Sequence, residues 1–301
     1  MRIGPKPRLA TPRLVRAGVV AALLAAQASG AMAQATAPTA APTGPYYDRA
    51  FMLAADQKCR LFQPMVARAL TSATLQARGA AVRHGATADD LAATAGRASA
   101  KANATACDNP DLVRVRGRVA TAFAGWAQTP RMTFPGAKAD WAADRYGLVQ
   151  AGWRLKQSVT TGQAPVTFGL VGDAGQGETL AAVVSFVGHS RPYAARIVLR
   201  DADRSSRPWL PGRAGDLPPE SLRLAVFSAG SSEAAPGLLE PTRKDGQAWR
   251  FPDAAADLIA ALDPREVFAV EFLFRDDSIA RATFEAGDFA AGRAFVDMGS
   301  L

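Results

Sequence analysis

The stretch GDAGQGETLAAVVSFVG, residues 172–188, decides the fold class, because its first eight residues match a phosphate-binding loop at every fixed position but one. That loop runs Gly, four residues, Gly, Lys, then Ser or Thr, and it joins a strand to a helix in a nucleotide-binding fold. Here Glu178 stands where the lysine belongs, and a carboxylate beside a polyphosphate is repulsive. The residues after Thr179 are rich in β-branched and aromatic types, so the chain is expected to leave the loop as a strand. GDAGQGET therefore reads as the loop of a β-hairpin, with glycines that permit positive φ angles.

Short apolar or alternating runs recur on both sides of this hairpin, at 148–159, 165–171, 179–187, 194–199, 221–227, 267–274 and 279–284. Clusters of Gly, Pro and Asp separate them, the pattern of an antiparallel sheet or sandwich. Two short helices interrupt it, DAAADLIAAL after Pro252 and DFAAGRAFVDM after Gly287, the second with Asp288 as its cap. This β-rich domain is expected to cover residues 148–301.

Toward the N-terminus the period changes from two to that of a helix. Residues 46–128 predict a small helical bundle or hairpin, so the fold class is α+β. Tyr47, Phe51, Leu53, Ala54, Leu61 and Phe62 follow helical spacing, and Pro64 suits the first turn of a second helix ending near Gly85. A third helix starts at Thr87, where Asp90 three residues on resembles a capping box, and runs to Cys107. A fourth opens at Asp108-Asn109-Pro110 and carries Leu112, Val113, Val119, Phe123 and Trp126 along one side. Residues 129–147 read as a connection, with a short helical piece around Trp141.

The N-terminal end carries a targeting pattern. Arg2, Lys6, Arg8, Arg13 and Arg16 precede the apolar run AGVVAALLAA, and small residues lead to Ala31-Met32-Ala33. These are the parts of a secretory signal peptide over residues 1–33, with cleavage between Ala33 and Gln34. The apolar run is about half the roughly 20 residues needed to span a bilayer, so no membrane span is expected after cleavage. Residues 34–45, QATAPTAAPTGP, read as a flexible Ala/Pro/Thr tether. The expected location is periplasmic or secreted.

Maturation also alters the charge. The full chain has 35 Lys and Arg against 27 Asp and Glu; without the five basic residues of the leader the balance is 30 against 27. A nucleic-acid partner would need a basic stripe that survives cleavage. RVRGR at 114–118 is the one cluster, and it reads as the solvated face of a helix.

Both cysteines, Cys59 and Cys107, follow the cleavage site. An even count in an exported chain predicts a disulfide between them. Their spacing is that of neither a CxxC redox pair nor a zinc site.

The remaining motifs assign no catalytic, cofactor or metal-binding residue. His84 lies at a helix end and His189 in the turn GHSRP, and no Gly-x-Ser-x-Gly elbow surrounds Ser228, Ser231 or Ser232. The run from Asp201 begins like a calcium loop but has Ser206 at its sixth position and Gly212 at its twelfth. For binding, the aromatic residues Phe134, Trp141, Tyr146 and Trp153 span the domain connection, where they either pack the domains together or line a groove for a peptide or glycan. Trp209, set between two prolines, suits either core plugging or partner contact. Trp141, Trp153 and Trp209 are thus the candidate binding surface.

The segment DLIAALDPREVFAVEFLFRDDSIARATFEAGDFAAGRAF, residues 257–295, resembles the closing segment of the invasion-associated locus B family of small periplasmic β-rich proteins, through its apolar spacing and Gly287, Phe289 and Ala290. The resemblance implies an exported envelope or virulence-associated role, with no catalytic residues to transfer. The expected function is an exported, non-catalytic binding or interaction protein whose partner is an envelope protein or glycan. The alternative is an envelope-polymer hydrolase with carboxylates converging in the interdomain cleft. The cysteine assignment is checked by mass measurement of thiol labelling, which is expected to find both cysteines unreactive until a reductant is added.

Overall fold

The computed structural model describes residues 43–162, 164–173, 176–186, 191–210, 212 and 216–301. The signal peptide, the Ala33–Gln34 cleavage site, tether residues 34–42 and His189 lie outside the described residues.

Four helices come first: α1 (Gly44–Cys59), α2 (Pro64–Arg83), α3 (Ala88–Ala104) and α4 (Pro110–Ala127). Their ends follow local chemistry. Helix α1 takes in Gly44 and Pro45, the last two residues of the expected tether, with Pro45 in its first turn, where a missing N–H costs nothing. Helix α2 opens on Pro64 and is followed by Gly85 at φ 98°, the left-handed exit that glycine tolerates. Thr87 and Asp90 form the reciprocal capping box of α3, and Asn109 Oδ1 accepts from the amides of Asp111 and Leu112 to cap α4.

Cys59 and Cys107 are bonded across 5.6 Å between Cα atoms. The bridge joins the end of α1 to the segment after α3, and Lys58 Nζ donates to the Asn103 and Thr105 carbonyls beside it, each at 2.8 Å. The local core here is small: Met52, Ala55, Leu61, Leu70, Ala102 and Leu112. Closing a loop of this length stabilises by about 4 kcal/mol in the chain-entropy model, a large share where alanines supply so little apolar area.

Eleven strands follow among the described residues: β1 (Arg131–Phe134), β2 (Trp141–Asp144), β3 (Gly152–Thr161), β4 (Ala164–Asp173), β5 (Gln176–Val184), β6 (Ala194–Arg200), β7 (Arg223–Phe227), β8 (Gly230–Glu233), β9 (Gln247–Arg250), β10 (Val267–Leu273) and β11 (Ile279–Glu285). Helices α5 (Ala254–Ala260) and α6 (Phe289–Val296) flank the last hairpin. The strands form a seven-stranded sheet, β1-β2-β3-β4-β5-β9-β8, and a four-stranded sheet, β11-β10-β6-β7. Every pairing between them is antiparallel. The protein is α+β with two antiparallel sheets, and GDAGQGET belongs to a hairpin: β4 and β5 pair antiparallel out to Asp173 opposite Gln176, with one register shift after Val171.

The region expected to hold a helical piece around Trp141 instead holds the hairpin β1–β2. Trp141 is fully buried there, and its indole donates to the Glu285 and Ala286 carbonyls at 3.1 Å. The long contacts to the last strand override a weak local preference. Strands β8 and β9 were not expected either; all four residues of β8 are exposed, so it has no alternation to read.

The core lies between the sheets. Phe168 on β4 sits at its centre, with ring centroids 5.2 Å from both Phe268 and Phe284 of the small sheet and 6.4 Å from Trp141. On the small sheet Arg196 Nε and Arg281 Nε donate to Glu271 at 2.8 and 2.9 Å. Burial alone would raise this carboxyl, but the two arginines hold it below its ordinary value.

Helix α6 joins the sheets to the helical layer. Asp288 precedes it, but its carboxylate does not cap the helix as expected; it forms a two-point ion pair with Arg83 of α2, at 2.7 and 2.8 Å. Ser72 of α2 donates to the Ala291 carbonyl at 2.8 Å. Gly79 makes this approach feasible, since a Cβ there would lie 1.8 Å from Asp288 Oδ1. Gly79→Ala gains about 1 kcal/mol of helix propensity but must displace a buried carboxylate, an overpacking cost of about 1–3 kcal/mol. The variant is therefore expected to be less stable in urea unfolding, and the same change in an Asp288→Ala background should be neutral or stabilising.

Candidate functional site

The site is built around two irregularities in the large sheet. Between β3 and β4 the register shifts at Trp153/Leu155, so Arg154 is an extra residue and both Arg154 and Leu155 are buried where strict alternation would expose one. Between β4 and β5 it shifts again at Val171/Asp173, opposite Gly177 and Glu178. A bulge re-aims side chains out of the ladder, and Arg154 and Glu178 both line a cleft of about 430 Å³. Gly172 leaves space for the arginine: a Cβ on it would sit 3.0 Å from Arg154 Nε.

The other wall comes from the segment after β2 and from the end of α6. Arg145 is 1% exposed. Its Nε donates to the Gly299 carbonyl at 2.7 Å and its Nη1 to Ala127 O, the last carbonyl of α4, at 2.9 Å. Its guanidinium carbon lies 5.2 Å from the centre of the Phe295 ring. Arg145 Nη2 has no hydrogen-bond partner among the described residues. Burial lowers the pKa of this guanidinium, yet an arginine keeps its charge in a protein. Arg154, 8% exposed, donates to the carbonyls of Tyr146 and Asp144 and, at 2.9 Å, to Ser300 Oγ.

Three acidic residues line the cleft with these cations: Asp173, Glu178 and Asp297. Glu178 is half-buried, and loss of water raises its pKa; the negative charge of Asp297 raises it further, against the opposing pull of Arg154 and Arg293. Asp297 stands exposed at the rim just after α6, where the surrounding protein and Asp257 raise its carboxyl while Arg293 and Arg68 oppose them. The apolar side chains of the lining are Leu148 and Val296. The cleft is thus small and polar, with both signs of charge in one space.

The sequence-derived binding tryptophans are not brought together, and none lines this cleft. Trp141 is core, so it is withdrawn from the binding surface: its 0% exposure leaves nothing for a partner to touch. Trp153 donates to Leu238 O at 3.1 Å and borders a separate groove of about 700 Å³ beside Val149 and Gly237. Trp209 is half-buried; its amide donates to Glu266 Oε1, the same oxygen that takes Arg200 Nε at 2.6 Å. Its indole Nε1 has no partner among the described residues.

Sequence reading passed over Arg145, Arg154 and Asp297. The one signal at hand was Arg154 itself, a charge inside a strand between Trp153 and Leu155 that fits no face of a regular sheet. No helix among the described residues is long and apolar enough to cross a membrane. No protein-family model, curated protein or solved structure matches the chain.

The raised carboxyl can be measured directly. A carbon-13 titration of the side-chain carboxyls is expected to place Glu178 above the ordinary glutamate range, and Asp297→Asn to move it down. Because the folded-state value is the raised one, Glu178 weakens the fold as pH rises from the unfolded value through the folded one. Glu178→Gln should therefore show a smaller loss of stability across that window.

Proposed function

We propose that this chain is an exported envelope protein that binds a small polar ligand without chemical turnover. The observation that carries the reading is the cleft itself, which sets Arg145 and Arg154, each more than nine-tenths buried, in the same 430 Å³ space as Glu178 and Asp297. Placing charged groups in a partly dry cleft costs folding energy, and binding sites are where such a cost is kept, because a ligand offsets it. Export is supported by the leader-like N-terminus and by the Cys59–Cys107 bridge, which belongs to an oxidising compartment. A periplasmic setting also agrees with the C-terminal resemblance to the invasion-associated locus B proteins, carried by α5, β10, β11 and α6.

One observation favours the rival reading of an envelope-polymer hydrolase. Glu178 and Asp297 line the same cleft and both have raised carboxyls, and a carboxyl pair with one member kept protonated is the usual acid–base arrangement for glycoside cleavage.

Native mass spectrometry of protein taken from a periplasmic fraction tests the proposal. The expected species begins at Gln34, keeps its disulfide and carries a small non-covalent ligand. Gly177→Phe should abolish that ligand, because a Cβ on Gly177 meets nothing within 4 Å and the ring would fill the cleft mouth. Retention in the cytoplasm with the first 33 residues attached would overturn export. Turnover of peptidoglycan or ester substrates that is lost in Glu178→Gln would overturn the non-catalytic reading in favour of the hydrolase.

A further inference from the structure

The charges of the cleft also limit what it can hold. A ligand that is only an anion would satisfy Arg145 and Arg154 but would sit within reach of the Glu178 and Asp297 carboxylates. A ligand that is only a cation would meet the reverse conflict with the guanidiniums. An uncharged sugar would bring no counter-charge to Arg145 or to the acids, and with Leu148 and Val296 as the apolar lining side chains a large apolar ligand finds little surface to bury. Arg145 has a guanidinium nitrogen without a partner among the described residues, and its hydrogen bonds run to neutral carbonyls. A carboxylate is the natural complement to a pair of guanidiniums. An ammonium placed near Glu178 and Asp297 relieves the repulsion between these two acids, which adds to the effect of burial in raising the Glu178 carboxyl.

We infer that the cleft takes a zwitterion of free amino-acid or dipeptide size, its carboxylate toward Arg154 and Arg145 and its ammonium toward Glu178 and Asp297. This ligand class rests on the binding reading above and is narrower than it. The cleft volume suits the size, lying near the lower end of the range for small-molecule sites. Binding is linked to pH: protonation of Glu178 or Asp297 removes the charge that holds the ammonium, with Arg154, Arg293, Arg68 and Asp257 as the charged neighbours that set where this happens and Arg145 and Asp173 as the other charged groups of the lining.

The test uses the mature chain and defined probes. A mixture of the free α-amino acids and alanyl dipeptides is screened by native mass spectrometry, and the best binder is then compared by calorimetry with its N-acetyl and C-terminal amide forms. The zwitterion is expected to bind at least about tenfold more tightly than either blocked form, the loss of one charge-assisted hydrogen-bonded pair. Glu178→Gln should narrow the gap between the zwitterion and its N-acetyl form to less than about twofold. An N-acetyl form that binds equally well would replace the zwitterion with a simple anion, and an equally tight amide would replace it with a cation. Either result overturns this inference while leaving a binding cleft in place. Absence of saturable binding by every probe overturns it as well, and a ligand still released from the periplasmic protein would then show that the broader reading survives.

Discussion

The ion pair between Arg83 and Asp288 fixes helix α6, and most of the molecule is arranged around that helix. Asp288 is 1% exposed at its side chain, and burial pushes its carboxyl up while Arg83 pulls it down. A buried carboxylate left unpaired would cost several kcal/mol, so α2 and α6 cannot separate without a large penalty. The glycine at position 79 turns this electrostatic need into close packing. On the opposite side Gly292 admits the side chains of Leu155 and Phe134, where a Cβ would lie 2.7 Å from Leu155 Cδ1. Helix α6 is therefore wedged between the helical layer and the large sheet by one charge pair and two missing side chains.

That wedge also explains how an alanine-rich helical layer is maintained. Helices α1, α3 and α4 share few large apolar residues, too few to support an independent core of this size. They are held by other means: the disulfide ties α1 to the segment after α3, and Phe123 and Trp126 of α4 pack onto the main core beside Met65, Ala69 and Leu75 of α2. The aromatic cluster around Phe168 then supplies the apolar bulk that the helices lack.

The cleft follows from the same placement. Helix α6 ends at Val296, which brings Gly299 against Arg145 and Ser300 against Arg154, with Asp297 in the lining of the same cleft. The two bulges turn Arg154 and Glu178 toward them. Polar groups converge on a rigid sheet end supported by backbone carbonyls, the setting in which side-chain geometry is held tightly enough for recognition. The stretch that resembles a phosphate loop thus contributes to a site by a different route. Gly172 clears space for Arg154, and the residue that breaks the motif, Glu178, lines the cleft.

The sequence by itself determined the features that rest on contacts between near neighbours. The Thr87–Asp90 capping box, the Asn109-Pro110 start of α4 and the β4–β5 hairpin were legible because each is closed within a few residues. The cysteine pairing was legible because two cysteines allow one intramolecular pairing. Only the tertiary structure decided the rest. Asp288 reads locally as a helix cap, but a cation 205 residues earlier takes its carboxylate. Trp141 reads as a helical or surface residue until a carbonyl 144 residues later accepts its indole. The cleft needs Arg154 beside Ser300, 146 residues apart, and Arg145 beside Gly299, 154 apart. Such pairs leave no periodic trace in the chain, because their energy appears only when the sheets and α6 have closed around them.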